Sequence, residues 1–518
     1  MQAKINWKSG WPVWGLSLVA SYLVFAMLAW DKSPNWDELW LLGNTLRPMS
    51  EQLEAIRRDM AHPPLVYLVF RGWLQLFGHT EAAVKGLIVL VNSACLFLFS
   101  WLAHEITRHW RLSTILFSCI YFQIGSVPNL SRAYGIVLLC TVAAVMLWRE
   151  WSGSGHLKWL VGWTLVMTVS VYAHYFGFLL LAAFLLVTLL QGPNRKAFIV
   201  ASLVPALMIL PWVAYVLAVY EPTGNLVPPS LQWITRHELH QGLTDLPVAF
   251  QTYIEAGSDP FANSVPIMQP EIWRLLKYVT WILYLLFAVL IVWNRKNFTF
   301  GADDCDAGAR WFWRLFLIAG VPVAALLLVS LLLAPMMHPR FLTGILPVYW
   351  LVYALIIQLT GRPGRLLGYF ALVPLVLSTS VVVTANNLER SGIRAHVQEV
   401  VDDFRDRDAV LSDSAIGAHV FWEWRGVQHR TEPVIVVRAG EVGHIPYRER
   451  RRQNVVPYHN LEDIPLGNIR RVWYFYSNLK ESQKAERYFS NLGFQPITLT
   501  SVDRQDNQFG LLKFVVTE

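Results

Sequence analysis

Two adjacent carboxylates, Asp37 and Glu38, stand in Ser33-Pro34-Asn35-Trp36-Asp37-Glu38, directly after the first apolar run of the chain. A carboxylate at the mouth of a membrane protein can take the proton of a hydroxyl as that hydroxyl attacks an electrophilic carbon. Further along come His62, Arg132, His174 with Tyr175 beside it, His338 and Arg340. Cations of these types hold phosphate, Arg with a two-pronged fork and His as a point charge. Ionisable groups at membrane depth are costly, so their convergence on one rim favours a site. Each also has a plainer role. Asp37 can cap a helix that begins at Leu39, and Glu38 suits a first helical turn. Arg132 and Arg340 can snorkel at an interface, His174 can be a hydrogen-bonded packing residue, and Arg57 and Arg58 read as facing water.

The elements that must position these residues are membrane spans. The chain has 518 residues, 54% hydrophobic and only 15% charged, with a mean hydropathy of +0.38. Several runs approach the roughly 20 apolar residues that cross a bilayer. The expected spans are 11–30, 82–103, 111–127, 133–148, 157–172, 174–190, 197–219, 274–293, 311–333, 341–359 and 366–385, about eleven transmembrane helices. Trp11 to Trp30 reads as a retained first helix, without a convincing cleavage site.

Counting alternately from a cytoplasmic Lys4 and Lys8 puts Arg or Lys in every inner loop: Arg108 and Arg111, Arg149 and Lys158, Arg195 and Lys196, Arg295 and Lys296, Arg310 and Arg314, Arg362 and Arg365. That is the positive-inside pattern, with the N-terminus in and the C-terminus out. It explains the net charge of +7 better than a nucleic-acid surface would, because the basic residues are scattered through short loops. The outer side then holds the loops 31–81 and 220–273 and the tail from 386. Within the first loop, Leu65 to Phe77 is apolar and aromatic enough to lie on the membrane surface. The four cysteines, Cys95, Cys119, Cys140 and Cys305, have no paired spacing and signal neither a disulfide framework nor a zinc site.

The tail changes character. Strands are expected at 409–411, 433–437, 472–476 and 510–516, and helices at 393–404 and 481–491. This is the pattern of a small α/β domain over 386–518, following a transmembrane domain over 1–385. No Gly-rich phosphate loop and no metal-ligand spacing occur in it.

Five short motifs occur in a fixed order: Trp36-Asp37-Glu38, His62-Pro63-Pro64-Leu65, Ser131-Arg132-Ala133-Tyr134, Tyr172-Ala173-His174-Tyr175-Phe176-Gly177 and Pro339-Arg340-Phe341. Together they resemble the bacterial GT-C glycosyltransferases of the protein-mannosyltransferase and lipid A aminoarabinose-transferase superfamily, the glycosyltransferase family 39 type. The resemblance covers residues 1 to about 385, and the tail resembles the extracytoplasmic domain that many members carry. It implies inverting transfer of one sugar from a polyprenyl-phosphate donor to a lipid, glycan or protein acceptor at the outer face of the inner membrane, without a metal and with no nucleic-acid partner. The acidic motif of the first loop falls on Asp37 and Glu38, with Asp37 as catalytic base or acceptor-orienting group. Donor phosphate and sugar contacts fall on His62, Arg132, His174, Tyr175, His338 and Arg340.

Two departures stand out. His62 replaces the Lys of the aminoarabinose enzymes and is only partly charged near neutral pH, and Ala61 stands where those enzymes carry an acid. Both argue against an identical donor or acceptor. The rival expectations are a transporter or lipid flippase, which would place its charges at the midplane in inverted repeats, and a membrane-anchored sensor working through its tail. The candidates here fall at one rim, and no internal repeat is evident.

Overall fold

A backbone that crosses lipid must satisfy its own polar groups, and in this chain each long apolar run does so as a helix. The computed structural model describes residues 10–28, 41, 43–45, 47–59, 62–78, 80–126, 133–192, 194–218, 270–298, 307–332, 339–388, 392–405, 407–412, 434–438, 455–458, 461, 464, 469–476, 479–501 and 510–516. The helices are α1 (Trp11–Leu28), α2 (Met49–Asp59), α3 (Leu65–Phe77), α4 (Glu81–Ile106), α5 (Trp110–Ser126), α6 (Tyr134–Ser154), α7 (Leu157–Ala173), α8 (Gly177–Gln191), α9 (Arg195–Met208), α10 (Leu210–Leu217), α11 (Pro270–Trp293), α12 (Ala307–Leu332) and α13 (Leu346–Leu388). Among the described residues, five helical stretches are long and apolar enough to cross a membrane: Ala82–Ile106, Tyr134–Ser154, Arg195–Leu217, Gly308–Leu332 and Phe341–Val376. Trp11–Val24, Leu65–Phe77, Leu157–Ala173, Gly177–Gln191 and Tyr278–Trp293 are shorter apolar helices. Their outer faces carry bare Leu, Val and Trp side chains, among them Val292, Trp293 and Leu332, as a lipid-facing surface does.

α13 has 43 residues, about 65 Å if straight and twice the hydrocarbon thickness. It is not straight. Gly361 has φ 69° and ψ −135°, a conformation that breaks the helix and suits glycine. A Cβ on Gly368 would lie 2.5 Å from Ile357 Cδ1. Those two residues would be roughly 16 Å apart along a continuous helix, so the chain folds back on itself at Gly361. The spans expected at 341–359 and 366–385 are the two arms of this hairpin. At the same end, the Gln358 side-chain oxygen accepts from Arg108 N at 3.0 Å and Thr107 Oγ1 at 3.2 Å, and Asn297 Nδ2 donates to the Leu359 carbonyl at 2.8 Å.

The chain divides into two compact units. The helical one comprises Met1–Leu28, Glu54–Ala262 and Ile267–Val383; the other comprises Ala29–Leu53, Asn263–Pro266 and Thr384–Glu518. The second unit contains a six-stranded sheet: β1 (Asp408–Ser412), β2 (Val434–Arg438), β3 (Val455–Tyr458), β4 (Arg471–Tyr476), β5 (Phe494–Ser501) and β6 (Gly510–Val516), in the order β3-β2-β1-β4-β6-β5. The first four strands are mutually parallel, and β6 runs antiparallel to both β4 and β5. α14 (Gly392–Asp403) precedes β1 and α15 (Leu479–Asn491) follows β4. Phe489 of α15 packs with Val472, Tyr474, Phe494, Leu512 and Phe514 in the core. The four strands expected from sequence are the four inner ones. The two not anticipated, β3 and β5, are the edges, and each contains a proline (Pro457, Pro496) that an edge tolerates.

An ion cluster ties β1, β4, β6 and α14. Arg471 Nε and Nη2 donate to Asp408 at 2.8 and 2.6 Å, and Nη2 also reaches the Asp403 carbonyl at 2.6 Å. Trp473 Nε1 donates to Asp408 at 3.0 Å, and Lys513 pairs with Asp403. Lys513, with a smaller contribution from Arg471, holds the Asp403 carboxyl down at about 2. A depressed folded-state value contributes stability that is full above the unfolded carboxylate value and is lost as pH falls towards the folded one. Thermal unfolding of the full chain should therefore weaken between about pH 4 and pH 2, and Asp403→Asn should flatten that acid limb. Parallel acid limbs in the two proteins would remove this role from Asp403.

Candidate functional site

His62 is held at the start of α3 by the prolines that follow it. Proline suits a helix start because its missing N–H is not needed there, and Leu68 N already bonds the Pro64 carbonyl at 3.1 Å. His174 ends α7 in extended conformation (φ −155°, ψ 138°), with its N–H on the Ser170 carbonyl at 3.0 Å. The chain then turns through Tyr175 and Phe176 into α8, closed by Gly177 N to the His174 carbonyl at 2.9 Å. Gly177 is required by space. A Cβ there would sit 2.7 Å from the backbone of Ser170 and Val171. Tyr134 opens α6, and Phe341 lies in the 3-10 turn Pro339–Ile345 ahead of α13. That turn seats against α6 through Gly344, whose added Cβ would meet Val137 Cγ1 at 2.9 Å.

These four helix ends bring one set of rings together. His62 and His174 meet edge to face with centroids 4.9 Å apart, both more than nine-tenths buried. Tyr134 contacts both, at 6.4 Å from His62 and 5.4 Å from His174. Phe176 stacks on His174 at 4.8 Å and meets Phe341 at 4.6 Å. The Phe176 N–H donates to His174 Nδ1 at 3.2 Å, which makes Nδ1 the acceptor and leaves Nε2 as the donor of the neutral ring. Tyr175 points elsewhere in the network, its hydroxyl accepting from Trp212 Nε1 at 3.1 Å. Trp212 meets Tyr215 at 5.7 Å, and Arg57 lies over the Tyr215 ring at 4.4 Å while pairing with Glu54 at 2.5 Å.

His62 and His174, separated by more than a hundred residues, are thus neighbours, and Tyr175 is one residue removed. Arg340 lies in the 3-10 turn directly before Phe341, with its side chain outside the described residues; Asp37, Glu38, Arg132 and His338 also lie outside them. Tyr134, two positions after Arg132, and Phe341 belong to the cluster although sequence reasoning did not single them out. Their signal was adjacency: each sits inside a motif chosen for its arginine. Arg57 is a correction. Its side chain is 17% exposed and engaged with Glu54 and Tyr215 rather than facing water, because α2 is amphipathic and this position falls on its packed face.

No family model matches the sequence, and no curated protein matches it. Similar solved structures include ArnT from Cupriavidus metallidurans bound to undecaprenyl phosphate, at 12% identity and a TM-score of 0.44, covering 96% of this chain and 98% of that one. Another is the archaeal oligosaccharyltransferase AglB from Archaeoglobus fulgidus in complex with an inhibitory peptide and a dolichol-phosphate, at 11% identity and a TM-score of 0.39, covering 92% of this chain and 70% of that one. A likeness of this size assigns no role to any residue here.

Gly177→Ala should destabilise the chain by about 1–3 kcal/mol, because the added methyl meets backbone that cannot rotate away. Thermal unfolding of the variant in detergent checks this. Melting together with wild type would show that the turn can open without cost.

Proposed function

We propose that the chain is a GT-C-type glycosyltransferase that moves one sugar, with inversion, from a polyprenyl-phosphate donor to an acceptor hydroxyl at the outer face of the inner membrane. The observation that carries the reading is the meeting of His62, Tyr134, His174 and Phe341. Each comes from a different one of the motifs that suggested the activity. Residues this far apart in sequence have no reason to converge if each motif were an accident of membrane composition.

In this reading Asp37 accepts the proton of the acceptor hydroxyl, and Glu38 orients the acceptor. The hydroxyl oxygen attacks the anomeric carbon from the face opposite the phosphate, and the bond from that carbon to the phosphate oxygen breaks. The departing polyprenyl phosphate carries the developing negative charge. Arg132 and Arg340 offer it forked donors, His62 and His338 further cationic or polar contacts, and His174 a donor at Nε2, the nitrogen opposite its Nδ1 contact. Tyr175 and Trp36 offer ring faces to the sugar. No metal is assigned a step in this reading. The residues of the tail, 386–518, are assigned to the extracytoplasmic side with the active site.

Purified protein given a panel of radiolabelled polyprenyl-phosphate sugars and a membrane extract should transfer label with at least one donor. Asp37→Asn should lose transfer by about a hundredfold or more while the protein still folds in the membrane, as expected for removal of a general base. Full activity in that variant would end the base assignment. No turnover with any donor, together with movement of a labelled lipid across liposomes, would favour a flippase instead.

A further inference from the structure

At the far end of α6 from Tyr134, one arginine is matched and one is not. Arg149 donates to Glu105 at 2.7 Å and to Glu150 at 2.8 Å, so it engages both neighbouring carboxylates. Arg314, two turns into α12, has its Cζ 5.5 Å from the Trp148 ring and 5.6 Å from the Trp311 ring. The two indoles meet edge to face, with centroids 6.0 Å apart at 85°. Trp148 is fixed: it is fully buried, and its Nε1 donates to Thr188 Oγ1 on α8 at 2.9 Å. Arg314 Nε is shielded and makes no hydrogen bond, and among the described residues Arg314 forms no ion pair. Arg310, one turn earlier on the same helix face and exposed, also has no ion pair among the described residues.

The two rings stabilise the guanidinium by cation–π attraction, but they offer it no acceptor oxygen. Among the described residues the group has no counter-charge with acceptor oxygens. Its position says where one could come from. Trp148 lies four helical turns along α6 from Tyr134, roughly 20 Å, so Arg314 sits close to the opposite headgroup layer of a hydrocarbon slab about 30 Å thick. Two more exposed cations reach that end, Arg295 and Lys296 in the 3-10 turn Arg295–Phe298. Trp313 Nε1 ties this turn to α12 through the Phe298 carbonyl at 2.6 Å.

We propose that Arg314, with Arg310 as its second cation, binds the phosphate of an anionic membrane phospholipid. The inference requires only that the helical unit is in a membrane; it does not rest on glycosyl transfer. A phosphodiester at the bilayer surface offers the paired oxygens that a guanidinium fork matches, and the second cation, Arg310, favours an anionic headgroup over a zwitterionic one.

The test is titration of the purified full-length protein with phosphatidylglycerol, phosphatidylcholine or inorganic phosphate, read by native mass spectrometry and by thermal unfolding. Phosphatidylglycerol should bind saturably and raise the melting temperature; phosphatidylcholine should not, and millimolar inorganic phosphate should not displace it. Arg314→Gln should weaken phosphatidylglycerol binding by about tenfold, the loss of one charge-assisted forked contact, with Arg314→Lys in between. Equal binding of the two lipids by the wild-type chain overturns the proposal without need of any variant. Unchanged affinity in Arg314→Gln overturns the assignment to that residue. Displacement of phosphatidylglycerol by millimolar inorganic phosphate overturns the membrane source.

Discussion

The absence of water around a spanning backbone is the constraint on which the helical unit depends. Backbone polar groups close on themselves in helices, and side chains that need partners must find them inside the bundle or move to its ends. Both solutions are visible. Within the spans, Asn92 Nδ2 donates to the Tyr22 hydroxyl at 2.6 Å, the Tyr284 and Tyr349 hydroxyls bond each other, and Trp148 bonds Thr188. His62 and His174 stand at helix ends, where turns hold them at irregular angles.

Loops at helix ends become rigid only when the helices approach closely, and here small residues permit it. Gly177 lets the α7–α8 turn press onto the backbone of the preceding helix, which fixes the direction of His174. Gly344 lets the 3-10 turn reach Val137, which brings Phe341 to Phe176. Gly361 and Gly368 allow the two arms of α13 to lie against each other. At Gly177, Gly344 and Gly368 the missing Cβ makes room for a neighbouring backbone or side chain, whereas Gly361 supplies the positive φ at which the chain reverses.

What could be read from sequence follows the same physics. Apolar length located the helices, and even the hairpin in α13 was legible because Gly361-Arg362-Pro363-Gly364 interrupts an otherwise apolar run. The inner strands of the tail were legible because buried strands are dense in Val, Tyr and Phe. β3 and β5 were not, since an edge strand accepts proline and polar residues that read as loop. In the candidate site, the pairing of His62 with His174 was foreshadowed by their placement on one rim, but the ring contacts of Tyr134, Phe176 and Phe341 were not. Aromatic residues are everywhere in this chain, and only the tertiary fold distinguishes a ring that lines a site from one that fills a core. Arg57 was misread for a related reason: a cation above an aromatic face is buried by a partner distant in sequence, and nothing local announces it.

The two ends of the helical unit also differ in how they treat charge, and the difference has a physical meaning. At the far end of α6, Arg149 is paired side by side with Glu105 and Glu150, Arg314 lies against the Trp148 and Trp311 rings, and Trp11, Trp101 and Trp110 gather around His104. At the Tyr134 end, His62 and His174 are packed against aromatic rings. Rings clamp the imidazoles in place, and the backbone contact to Nδ1 selects which nitrogen of His174 can donate. An arrangement that fixes the direction of a hydrogen-bond donor at a helix end is suited to receive a ligand, whereas one that pairs charges with each other is suited to anchor a fold.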